Sequence, residues 1–89
     1  MTDSDLVIQC KIGLNIPVAN TVFDGTLFQK VLAVKSFMTG AGVSETMLSD
    51  PLAVGAIVLG VTDLWSLTGG EIKFSSAFNL MVTQLAVRS

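Results

Sequence analysis

From Asp50 to Leu67 the chain reads DPLAVGAIVLGVTDLWSL, its longest run of predominantly apolar positions. The run opens as a helix should. Asp50 can accept hydrogen bonds from the free N–H groups of a first turn, and Pro51 suits the first helical position, where its missing N–H is not needed. At about 100° per residue, Ala53, Ile57 and Leu64 share one side, and Val54, Val58, Val61 and Trp65 share the next. Only the arc of Gly55, Thr62, Asp63 and Ser66 is small or polar. A helix this apolar belongs in a core, in a membrane or against another subunit. A spanning helix needs roughly 20 apolar residues, whereas the uninterrupted stretch from Leu52 to Val61 is half as long. Asp63 follows it, and a carboxylate there costs about 2.5–3.5 kcal/mol at mid-bilayer. The pattern therefore favours a core or subunit contact over a membrane.

A second helical stripe is equally clear. Leu27, Val31, Val34 and Met38 fall on one face, with Phe28 and Leu32 at its flank. Asp24 is placed to cap this helix, and Gly40 and Gly42 to end it, since glycine readily takes the left-handed conformation found there. Asn15 to Phe23, with Pro17 and Asn20, reads as a connection, and Val43 to Ser49 as a short link. Phe37 lies off the stripe, near Lys30, and is a candidate for a contact outside the subunit core.

The two ends of the chain complete the pattern. Between Ser4 and Leu14, Ile8, Cys10, Ile12 and Leu14 alternate as in a strand, while Leu6, Cys10 and Leu14, with Val7 beside them, follow a helical stripe. Thr2 or Ser4 as cap, and Asp3 and Asp5 at the positive end of a helix dipole, tilt the reading to helix. Gly69-Gly70 release the long apolar helix, and Glu71 to Phe74 form a short bridge. Ser75 or Ser76 then caps a last helix whose core face is Phe78, Met81, Val82 and Leu85. The expected fold is all-α, a small bundle of about four helices near residues 4–14, 24–38, 51–67 and 76–88, in one domain over 1–89.

Composition turns this bundle into an assembly problem. Of 89 residues, 51% are hydrophobic and only 13% charged, against a usual quarter. A domain of this size buries only about 60–65% of its unfolded surface. The surplus apolar side chains need another destination, and subunit contacts are the ordinary one. Phe37, Leu80 and Val87, each off its helix's core stripe, are the candidate interface residues, and Trp65 is the candidate core anchor.

Charge and residue inventory then exclude chemistry. A net charge of −2 and the lack of a Lys/Arg cluster argue against binding nucleic acid through phosphate neutralisation. There is no histidine or tyrosine and only one cysteine, Cys10, which removes Ser-His-Asp and Cys-His catalysis, His or multi-Cys metal sites and an internal disulfide. Cys10 stands among apolar residues and reads as a buried, inert thiol. Asp24, Asp50 and Asp63 are spread one to a helix or cap. Glu71 and Lys73 read as a solvated link, and Asp63 as a residue facing water. The glycine pairs lack the spacing of phosphate-binding loops. No enzymatic activity, cofactor or metal is expected. Asp3 and Asp5 stand where a secretory signal would carry basic residues, which points to the cytoplasm.

The order of these features resembles the phage head–tail connector family. The likeness runs through LNI at Leu14 to Ile16, FDG at Phe23 to Gly25 and GAGVSE at Gly40 to Glu45. It is strongest over DPLAVGAIVLGVTDLW (Asp50 to Trp65) and GEIKFSSAFNLMVTQLA (Gly70 to Ala86). Where many relatives carry Pro just after the capping Ser of the last helix, this chain has Ser76. The resemblance implies an all-α virion protein, made in the host cytoplasm and placed at the head–tail junction. It implies a closed, twelve-fold homo-oligomeric ring stacked on the portal protein, extending the DNA channel without binding DNA specifically and docking the tail or a stopper protein. It carries no catalytic residue. The competing reading of the same residues is a cytoplasmic helical oligomeric adaptor or regulator with no phage role.

Overall fold

The computed structural model describes residues 2–66 and 73–89, and these contain five helices and no strand. They are α1 (Asp3–Gly13), α2 (Asp24–Gly40), α3 (Glu45–Leu48), α4 (Pro51–Trp65) and α5 (Ser76–Val87). The all-α expectation is met, and the ambiguous first segment is helical. The one-turn α3 falls inside the stretch from Val43 to Ser49 read as a short link. Leu67, the Gly69-Gly70 pair and Glu71 lie outside the described residues.

The helix ends follow from local chemistry. Thr2 caps α1 in a reciprocal box, its hydroxyl accepting from the Asp5 N–H and the Asp5 carboxylate accepting from the Thr2 N–H. Those bonds hold the Asp5 carboxyl below its usual range, so their contribution is present above ordinary carboxylate titration and is lost on acidification. The Asp50 carboxylate accepts from the Leu52 N–H with Pro51 at the first position, as the sequence suggests. At the end of α2, Gly42 takes a φ of 102°, and the Val43 N–H reaches back to the Met38 carbonyl while the Gly42 N–H reaches Thr39. Met38 and Val43, the two residues that this closure brings together, are both buried. Asn15, at φ 59°, closes α1 in the same way.

The N-terminus of α2 departs from expectation. Its cap position is Phe23, which makes no side-chain bond, and Asp24 is the first helical residue. The Asp24 carboxylate instead pairs with the ammonium of Lys11 on α1, which is almost wholly buried and also donates to the Val18 carbonyl at 3.1 Å. A buried ammonium without a counter-charge is far costlier than an uncapped helix end, so the long-range pair wins over the local cap.

α4 is the centre, packing against each of the other helices. Its fully buried residues are Ala53, Ala56, Ile57, Gly60 and Val61, whereas Val54 and Val58 are only partly covered. Small residues therefore line much of the core-facing side, and they set how close the neighbours come. A Cβ on Gly60 would lie 2.5 Å from Phe78 Cε1 and 2.9 Å from Val34 Cγ1, so α2 and α5 both press on this one point. On the α1 side, Gly13 faces Val58 across a similar approach.

α5 meets the edge of the small or polar arc of α4, of which Gly55 and Ser66 remain exposed. Gly55 lies beside Met81, and Asp63 accepts from both the N–H and the hydroxyl of Ser75, at 2.9 and 2.8 Å. The same Ser75 hydroxyl accepts from the Phe78 N–H and so caps α5. Asp63 thus fixes the start of α5 rather than facing water alone. At the other end, the Ser89 hydroxyl accepts from the Ser44 N–H and donates to the Leu85 carbonyl, joining the end of α5 to the start of α3.

Two outcomes follow. Gly60→Ala is expected to lower stability by about 1–3 kcal/mol through overpacking, while Gly25→Ala, where a Cβ meets nothing within 4 Å, is neutral or stabilising. Urea denaturation of the two variants decides this, and equal midpoints would refute it. Asp63→Ala and Ser75→Ala are each expected to cost about 1–2 kcal/mol, and the double variant less than their sum, because both remove one cap network.

Candidate subunit interface

α5 carries no charged residue across SAFNLMVTQLAV, so neither of its faces is a typical solvated one. Phe78, Val82 and Leu85 point into the core. On the opposite face, Leu80 and Val87, seven positions apart, are 60% and 80% exposed, and their helical neighbours on that side are Ser76, Thr83 and Gln84. A helix whose outer face is uncharged and carries two exposed aliphatic side chains has the make-up of a subunit contact.

Phe37 lies elsewhere. Its ring centroid is 4.7 Å from Phe74 and 5.8 Å from Phe78, and Phe74 stacks on Phe78 at 4.3 Å. Phe37 is therefore the rim of an aromatic cluster within the subunit, though 42% exposed. Leu80 and Val87 share a face, and Phe37 is not brought to it.

Trp65 is partly buried at the end of α4, packed edge-on against Phe23 with centroids 5.3 Å apart. It covers the margin of the core, and its place at the centre is taken by Phe78 and Ile57.

A second apolar surface was visible in the sequence only at its edge, as Phe28 and Leu32. On α1, Ile8 and Ile12 project away from Leu6, Val7 and Cys10, and Ile8 meets Phe28 across an open cleft of about 380 Å³ between α1 and α2. The cleft's charged members are Lys11 and Asp24, already paired with each other. The signal for a buried lysine was its spacing: Lys11 stands one turn after Val7 on the apolar face. A wider groove of about 640 Å³ runs between α2 and α3, past Leu32, Thr39, Glu45 and Leu48, with Lys35 bound to Asp3 of α1 at 2.8 Å.

These surfaces hold no cluster that suggests chemistry. Among the described residues no three His, Cys, Asp or Glu side chains gather to hold a metal, and no helix is long and apolar enough to cross a membrane. Cys10 is fully buried, and burial pushes its thiol up to about 11. No family model, characterised protein or solved structure matches this chain.

Because Trp65 is only partly covered, Trp65→Ala is expected to cost about 2 kcal/mol, below the 3–5 typical of a fully buried aromatic. A denaturant midpoint shift showing the full cost would mean that Trp65 is covered more completely than the single chain shows.

Proposed function

We propose that this chain is a structural, ring-forming subunit of a phage head–tail junction. In that reading it stacks on the portal, continues the DNA channel and offers its far side to a tail or stopper protein. The observation that carries the proposal is the neutral outer face of α5, with Leu80 and Val87 exposed on a helix without a single charge. Supporting it are the ordered set of motifs from Leu14 to Ala86 that resembles the connector family, and the low charge of the chain as a whole. A mildly acidic, base-poor subunit suits a conduit, since DNA slides past it rather than adhering. The role calls for no catalytic group, cofactor or membrane contact, and places the protein in the virion after synthesis in the host cytoplasm.

Subunits of a closed ring meet through two different surfaces, because a heterologous contact with the right rotation closes on itself. Burying a side chain of leucine size contributes roughly 1.5–3 kcal/mol, so Leu80→Asp or Val87→Asp is expected to give smaller species that remain helical. Electron micrographs of the purified protein, with and without an assembled portal, test the reading. Rings alone or on the portal support it, and their symmetry gives the subunit number. Rings that ignore the portal would replace it with an oligomeric adaptor of no phage role, and a monomer that also fails to bind the portal would end it.

A further inference from the structure

We infer that the ring contact is made by the outer face of α5 of one subunit seated in the α1–α2 cleft of a second copy of this chain. The inference rests on the ring reading and specifies its two surfaces. On α2, Phe28 and Leu32 lie on the flank that faces α1, whereas Phe37 lies on the flank that meets Phe78 of α5. On α4, Val58 faces Gly13 of α1, while Asp63 and Gly60 face α5. The cleft and the outer face of α5 thus lie on opposite flanks of the two central helices. That is the arrangement a head-to-tail contact requires, and a two-fold contact does not.

An uncharged helix offers no counter-charge, so a seat that suits it is one whose own charges are already paired. In this cleft Lys11 and Asp24 neutralise each other, and the remaining walls are the uncharged Ser4, Val7, Ile8, Gly25 and Phe28. The groove between α2 and α3 instead carries the exposed Glu45 on its wall. The neutral helix fits the neutral cleft.

Twelve residues of α5 span about 18 Å, and the outer half of a helix 10–12 Å wide presents roughly 300 Å² there. A standard interface takes about 800 Å² from each partner. One such contact is too small for a stable isolated pair, but a closed ring gives every subunit two. A second copy in a ring therefore fits this surface better than a lone dimer partner.

Cross-linking tests the assignment. Leu80→Cys and Phe28→Cys chains, each shown to be helical by circular dichroism, are mixed at high concentration with and without an assembled portal and treated with a short bifunctional maleimide, with Ile8→Cys as a second cleft position. The buried Cys10 serves as an unreactive background. The expected result is a shift from monomer to dimer on gels for Leu80→Cys mixed with either cleft variant, and no shift for Leu80→Cys alone. A shift for Leu80→Cys alone would mean that α5 pairs with α5, and no shift in any mixture would mean that the cleft is not the seat; either overturns the inference. Rings that bind a portal without these cross-links would refute this contact and leave the connector reading intact, and cross-links without portal binding would do the reverse.

Discussion

Everything in this subunit depends on how closely α4 lets its neighbours approach. Gly60 stands where Phe78 and Val34 converge from α5 and α2, and Ala53 and Ala56 continue the same small, buried side. The large side chains that fill the core are contributed mostly by the surrounding helices, Phe78, Leu27 and Met38 among them. Interiors pack at near-crystalline density, so such a centre tolerates added volume poorly. It also leaves the valines of α4 off-centre, with Val54 and Val58 partly covered at the side toward α1.

The few charges are largely engaged within the chain. Asp3 binds Lys35, Asp24 binds Lys11, and Asp5, Asp50 and Asp63 each accept backbone N–H groups at or near a helix start. A half-exposed ion pair adds little stability by itself, and a capping carboxylate adds about 1 kcal/mol. Their common effect is geometric: each ties one element to a defined start or to its neighbour. The outer faces are consequently poor in charge, as α5 shows most plainly.

Most of the fold was legible because the two dominant signals are local. The stripe Leu27, Val31, Val34 and Met38 is fully buried, and Asp50-Pro51 and Ser75 cap the helices that they precede. What was misread required a partner distant in sequence. Asp24 looks like a cap until Lys11 is brought beside it, and Asp63 looks like a solvated residue until Ser75 arrives from twelve positions away. Gly60 likewise carries no signal in the apolar pattern of α4, since periodicity ranks residues by hydrophobicity and cannot see that a missing side chain admits Phe78 of a neighbouring helix. Of the candidate interface, Leu80 and Val87 were readable from their period on α5. Ile8 and Ile12 were not singled out, because their alternation with Cys10 looks equally like a strand.

The anchoring of α5 at both ends bears on its use as a contact surface. Asp63 and Ser75 hold its first turn, and Ser89 bonds both Leu85 and the Ser44 N–H at its last. An isolated helix of twelve residues is marginal in water, and ordering it at the moment of association would subtract from an interface that is already small. Fixed at both ends and packed on α4 through Phe78, Val82 and Leu85, it presents Leu80 and Val87 at a set spacing before any partner arrives. If α5 makes the proposed ring contact, loosening either anchor should weaken assembly by more than the loss in subunit stability alone. That makes Asp63, which touches no part of the outer face, a positioning residue for it.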